Sequence, residues 1–230
     1  MMTRQIRSFA SADAMAEAAC RQILALAEQA IAERGRFVMA LAGGNTPAGL
    51  YRRLAASAAD FSRWQLVYGD ERFLPAGDNE RNSTLVSECW LQAVNFPAEN
   101  HHALPAADTV QQAAAAYSRQ VAALLPLDLA LLGIGEDGHC ASLFPGHAGC
   151  QDVACAVTNA AKPPAQRVTL SEASLNSAAQ VIFLVSGRQK KAVVMQGLAG
   201  ADVPFTHIHG RRHTWLLADF NLENHDENPA

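Results

Sequence analysis

Asp137 and His139 flank Gly138 in the segment Gly133-Ile134-Gly135-Glu136-Asp137-Gly138-His139-Cys140-Ala141-Ser142-Leu143-Phe144-Pro145-Gly146. Imidazole titrates nearest neutrality, so His139 can take and return a proton at physiological pH. The apolar run 127–132 precedes the segment and reads as a buried strand. A buried strand that breaks into glycines and then into titratable side chains presents them at its carboxyl end, where open α/β sheets bind ligands. The same residues fit a plain turn with a hydrogen-bonded loop histidine, and the motif alone leaves both readings open.

Three further strand ends carry polar chemistry. Gly43-Gly44-Asn45-Thr46-Pro47 joins the short apolar run 37–42 to a helical stretch at 47–56. Thr46 suits its N-cap and Pro47 its first position. The free N–H groups and the dipole of such a helix start suit a phosphate, although a well-capped turn explains the residues equally. The pattern is neither Walker A nor the dinucleotide fingerprint, so no nucleotide is implied. Asp70-Glu71-Arg72 closes the strand at 64–68, and Arg167 opens the one at 167–170. Lys190 and Lys191 follow Ser186-Gly187 in the first turn of a helix, where the dipole disfavours a cation unless an anion is near. Convergence of these loops at one sheet end would make a polar site. Other candidates are weaker. His101-His102 reads as solvated loop. His207 and His209 would share one face of a strand but lack a matching third metal ligand, so no metal is expected. Ser142 has no nucleophile elbow around it.

The elements that must position these residues alternate. Helical periodicity covers 14–34, stopped by Gly35, then about 83–94 and 110–124, with a last helix from Gly187 to about 198. Strand-like runs fall at 37–42, 64–68, 127–132, 153–157, 167–170, 181–185 and 214–218. Alternation implies βαβ units with right-handed crossovers. The expected fold is α/β: a single domain over 1–220, built on a mainly parallel Rossmann-like sheet with helices on both faces, and a loose polar tail at 221–230. At 230 residues, half apolar and 17% charged, the chain can bury a large core. A net charge of −4 without a basic run gives no case for nucleic acid. No apolar stretch is long enough to span a bilayer, and 1–9 has no signal-like core. The five scattered cysteines, with no Cys-x-x-Cys, fit incidental reduced thiols in a cytoplasmic protein.

Taken together, the loops resemble the 6-phosphogluconolactonases, lactone hydrolases of the pentose phosphate pathway, over nearly the whole chain. Leu41-Ala42-Gly43-Gly44-Asn45-Thr46-Pro47 is similar to their glycine loop, and Gly69-Asp70-Glu71-Arg72 with Asp78 and Asn82-Ser83 to their Asp-Glu-Arg segment. The string from Asp137 to Gly146 is the specific signature. Pro163-Pro164, Arg167-Val168-Thr169-Leu170, Asn176, Gly187 to Lys190, and Trp215 with Asp219 complete the likeness. Asn45 and Cys140 depart from it, standing where serine and threonine are usual. The glucosamine-6-phosphate deaminases share the implied fold. They carry an aromatic residue after the Asp-Glu pair and an acid soon after the Asp-Gly-His loop, whereas here Arg72 and Leu143-Phe144-Pro145 occupy those places. A non-catalytic sugar-phosphate sensor would need a DNA-binding segment, which the residues before the first strand do not supply.

The resemblance implies hydrolysis of a sugar-phosphate lactone. His139 would serve as base and then acid, supported by Asp137, with Asp70 as the other nearby carboxylate. Arg72 would face the developing oxyanion or hold the phosphate. Lys190, Arg167 and the loop Gly43, Gly44, Asn45, Thr46 would clamp the 6-phosphate. No metal or organic cofactor is required. A small-molecule substrate, a cytoplasmic location and a monomer or small homo-oligomer are expected.

Overall fold

The computed structural model describes residues 4–146 and 149–222. Its centre is a six-stranded, fully parallel sheet in the order β1-β9-β8-β5-β2-β3. These strands are β1 (Arg4–Ser8), β2 (Phe37–Leu41), β3 (Trp64–Tyr68), β5 (Leu129–Gly133), β8 (Gln180–Val185) and β9 (His213–Ala218). Every residue of β2 is buried, as is 181–185 of β8, the unbroken apolar run that a parallel strand covered on both faces demands.

Helices α1 (Ala12–Arg34) and α2 (Asn45–Ala55) carry the chain across the sheet in one direction, from β1 to β2 to β3. Helices α6 (Lys191–Leu198) and α7 (Pro204–His207) carry it the other way, from β8 to β9. Right-handed crossovers therefore set the two groups on opposite faces. Ser11 caps α1 by accepting from Ala14 N–H at 3.1 Å, and Gly35 ends it at φ 76°. Thr109 and Gln112 form a capping box on α4 (Val110–Ala122).

Strand order reverses between β2 and β5, which pair directly through Met39↔Leu129 and Ala40↔Ala130. That is the switch point at which a doubly wound sheet opens a crevice at its carboxyl end. The glycine loop follows β2 and the Asp-Gly-His segment follows β5, so the two loops face each other across it.

A second, antiparallel sheet of order β4-β7-β6 stands beside the first. It consists of β4 (Asp70–Arg72), β7 (Arg167–Leu170) and β6 (Ala154–Val157). The alternation of elements points to mainly parallel pairing, which the six-stranded sheet has; these three short strands pair antiparallel. Asp70 to Arg72 is a paired strand and not merely a strand-end loop.

Other expectations are corrected. Helix α2 starts at Asn45, two residues early, with Gly44 as N-cap at φ 89°; Thr46 lies inside the helix and does not cap it. The run expected helical to 94 breaks after α3 (Asn82–Cys89) into a 3-10 turn, Leu91–Ala93. His207 closes α7 instead of lying on a strand, because Pro204 at the first helical position fixes a helical φ there. His101 and His102 are half-buried and bond Tyr68 Oη (2.6 Å) and Gln65 Oε1 (2.7 Å), so they are more than solvated loop residues. Cys150 and Cys155 are joined in a disulfide, their Cα atoms 5.9 Å apart where the chain doubles back into β6, so these two are not incidental thiols. Of the expected polar tail, 223–230 lies outside the described residues, while Leu222 packs buried against the core.

Candidate active site

One polar cavity of about 290 Å³ occupies the switch point. It is lined by Gly43 and Gly44 after β2, Asp70 and Arg72 of β4, Asn82 at the start of α3, Gly135, Glu136 and His139 after β5, Lys162 and Arg167 before and in β7, and Lys190. Gly43, Gly44, Asp70, Arg72, His139, Arg167 and Lys190, seven of the ten site residues expected from the sequence, meet here. Asp137 stands behind His139, and the side chains of Asn45 and Thr46 lie outside the lining.

The loop after β5 is built to hold one imidazole. Gly138 N–H donates to Gly135 C=O (3.0 Å) and Gly135 N–H to His139 C=O (2.8 Å). Gly138 has φ 80°, a region that favours glycine. A Cβ on Gly135 would lie 2.1 Å from the His139 ring, so only glycine admits the histidine. Asp137 Oδ1 accepts from His139 N–H (3.2 Å) and makes a short bond with His139 Nδ1. Burial alone would raise the Asp137 carboxyl, but the bonds from His139 outweigh it and hold the acid below the usual carboxylate range. With Asp137 ionised, Nδ1 is the donor, which leaves the Nε2 lone pair as the basic position. The other face of the ring rests on Phe144, centroids 4.8 Å apart.

Asp70 joins the loops together. Its Oδ2 accepts from Ser142 Oγ (2.6 Å), its Oδ1 from Asn82 Nδ2 (3.3 Å), and Arg167 Nη1 lies 3.7 Å away. Asn82 in turn fits against Gly43, where a Cβ would fall 1.8 Å from Asn82 Oδ1. Asn82, part of the family likeness but not among the expected site residues, lines the cavity. Glu71 points away from it: its carboxylate accepts from Arg72, Asn82 and Ser83 N–H, anchoring the start of α3.

Positive charge surrounds the remaining wall. Arg72 and Arg167 sit directly opposite in the β4–β7 ladder, a like-charge pairing that is unfavourable without an anion between or beside them. Burial lowers the Arg167 pKa and Arg72 adds to that, against the pull of Asp70. Arg167 also donates to the carbonyls of Lys162, Pro163 and Pro164. Lys190 rides the turn Arg188–Lys190 that opens at Gly187 (φ 99°), and Asp219 anchors it by accepting from Gly187 N–H (3.0 Å) and Ser186 Oγ. Burial lowers the Lys190 pKa, Lys162 lowers it further, and Glu136 and Asp219 oppose them. Helix α2 starts at the cavity with no side-chain cap on its N–H groups. Lys191 begins α6 outside the lining. Among the described residues, no group of three or more His, Cys, Asp or Glu side chains is placed to hold a metal, and no helix is long and apolar enough to cross a membrane.

A switch-point cavity lined by a carboxylate-held histidine and by several cations defines an α/β enzyme acting on a small anionic substrate. The family model described as glucosamine-6-phosphate isomerases/6-phosphogluconolactonase matches residues 10–216, and the chain belongs to that family. It is 37% identical over 228 residues to a 6-phosphogluconolactonase of Streptomyces coelicolor, covering 88% of this chain and 87% of the relative. Among solved structures, a 6-phosphogluconolactonase of Thermotoga maritima aligns with a TM-score of 0.88 at 25% identity, over 94% of this chain and all of the other. The enzyme of the same name from Trypanosoma brucei aligns at 0.84 and 28%, over 95% and 97%.

Proposed function

We propose that the chain hydrolyses 6-phospho-D-glucono-1,5-lactone to 6-phospho-D-gluconate, the second step of the oxidative pentose phosphate pathway. The observation that carries this reading is His139, held by Asp137, lining one cavity together with Lys190, Arg72 and Arg167. Its relatives of the same name extend over most of the chain.

His139 Nε2 takes a proton from a water that attacks the lactone carbonyl. Asp137 holds the ring in the tautomer this requires and supports the imidazolium that forms. Arg72 faces the oxyanion of the tetrahedral intermediate. On collapse the bond from the carbonyl carbon to the ring oxygen breaks, and His139 returns its proton to that oxygen. The phosphate is clamped by Lys190 and by the uncapped N–H groups of α2 from Gly43 and Gly44 through Asn45 and Thr46, with Arg167 adding charge. Asp70, its oxygens already occupied by Ser142 and Asn82, keeps the four loops in register. Protein side chains and water suffice for every step. The unit is read as one domain over 1–220, cytoplasmic, monomeric or a small homo-oligomer, with no nucleic-acid partner.

The test is turnover of freshly made lactone by purified protein, with spontaneous hydrolysis subtracted, beside an assay on glucosamine 6-phosphate. Lactone loss above background without ammonia from the amino sugar is expected. Ammonia release with no lactone turnover overturns the reading.

A further inference from the structure

We propose that Lys162 is a second phosphate-reading lysine of this cavity, held in place by Arg167; the inference rests on the lactonase reading above. The chain has only three lysines, Lys162, Lys190 and Lys191, and two of them line the cavity. In a protein that otherwise uses arginine for its surface cations, that concentration calls for a reason.

The loop that carries Lys162 is fixed by one guanidinium. Arg167 is 6% exposed. Its Nη2 donates to Lys162 C=O (3.0 Å) and Pro163 C=O (2.9 Å), and its Nε to Pro164 C=O (3.1 Å). Asp70 holds the remaining edge of the fork at 3.7 Å. Two consecutive prolines also restrict φ along this segment. The backbone of Lys162 is therefore held at the cavity rim by the buried Arg167 guanidinium, and the residue lines the cavity while remaining exposed to solvent. Arg167 consequently has most of its donors turned to this loop and few left for a ligand.

Charge balance gives the second argument. The charged side chains of the lining are Arg72, Lys162, Arg167 and Lys190 against Asp70 and Glu136, an excess of two positive charges with His139 neutral. A phosphate monoester carries about −1.5 to −2 near pH 7. Without Lys162 the excess would be one, and a dianion would be left half compensated in a low-dielectric cleft. Lys162 also lies close enough to Lys190 to be felt electrostatically. Two ammonium groups converging on one rim repel unless an anion joins them.

The experiment uses full-length wild type, Lys162→Ala and Lys162→Arg, all compared by circular dichroism. One arm measures the affinity of inorganic phosphate by calorimetry. The other measures kcat and KM for 6-phosphogluconolactone and for the phosphate-free glucono-1,5-lactone. For Lys162→Ala, phosphate affinity is expected to fall about tenfold, the loss of one charge-assisted contact. KM for the phosphorylated lactone should rise by a similar factor while kcat changes far less, and the loss should be much smaller on the phosphate-free lactone. Lys162→Arg should recover most of the affinity. No phosphate binding by wild type, unchanged phosphate affinity in Lys162→Ala, or equal losses on both lactones would overturn the assignment. If wild type turns over neither lactone, the lactonase reading falls, and Lys162 is still judged by the phosphate arm.

Discussion

Replacing His139 with glutamine removes the proton carrier and leaves a side chain that can still hydrogen-bond. One general acid–base group contributes roughly 10²–10⁴-fold, and here the same imidazole serves both proton steps. A fall in kcat of about 100-fold or more is expected, a barrier increase of about 2.7 kcal/mol or more. The fold should tolerate the change. The His139 side chain is 16% exposed, touches Phe144 on one face, and bonds only within its own loop through Asp137. Losing the ring contact costs on the order of 1 kcal/mol, small beside the roughly 5–15 kcal/mol of a typical domain. His139→Ala should therefore be equally slow and still folded. The assay follows initial rates with fresh lactone at pH 7, subtracting spontaneous hydrolysis, with near-native circular dichroism as the folding control. A His139→Gln enzyme within about threefold of wild type in kcat would refute the reasoning, since no amide cycles a proton near neutrality. The base would then be sought at Asp70 or Glu136, the two carboxylates of the lining.

Asp137→Asn should lower kcat by about tenfold or more with little change in KM, because the amide no longer enforces the Nδ1–H tautomer; an unchanged kcat in steady-state assays would contradict this. Lys190→Ala should raise KM for the phosphorylated lactone about tenfold and affect the phosphate-free lactone much less, and equal losses would remove Lys190 from phosphate recognition. Burial holds the Lys190 ammonium below its ordinary 10.5, so KM in wild type should climb on the alkaline side before an exposed lysine would titrate, and a flat KM up to that pH would count against its role. Burial also lowers the pKa of His101 and His102; His102 Nε2 faces Gln65 Oε1 and its Nδ1 faces Gln120 Nε2, a pattern that fits only the neutral ring. The unfolded chain thus takes up protons first as pH drops below about 6.5, and denaturant titrations should show stability present above that pH and declining toward pH 5, by at most about 1.4 kcal/mol per pH unit for each histidine. His207, raised by Asp202 and then Glu172, acts in the opposite sense: its stabilisation grows as pH falls through its raised pKa and is complete below about 6.5, so His207→Gln should lower stability by a near-constant amount across the decline.

What the sequence made legible was local. The buried strand before Gly133, the glycine break and His139 lie within one short stretch, and their consequence follows from the general rule for strand ends. The identity of the loops that converge was readable for the same reason. Long-range pairings were not. Nothing in the composition of Asp70-Glu71-Arg72 distinguishes a three-residue strand from a polar turn; pairing with Arg167–Leu170 makes it one. The strand Arg4–Ser8 carries a single apolar residue in five and exists because β9 offers it a partner. Asn82 enters the site through Asp70 and Gly43, contacts spanning 12 and 39 positions, and its polar type alone gave no signal. Lys162 does carry one: it is one of three lysines, and it immediately precedes a proline pair. The N-cap of α2 was placed on Thr46 by residue preference, whereas Gly44 takes that place in a backbone conformation that favours glycine.

The mechanism requires one orientation of the substrate, with the reacting carbon at His139 and the phosphate at Lys190 and the start of α2. A crystal structure with bound 6-phosphogluconate tests it most directly. The carboxylate of the product should lie within about 2.6–3.2 Å of His139 Nε2, with its phosphate on Lys190 and the start of α2. A phosphate seated against His139, with the carboxylate among the lysines, would contradict it.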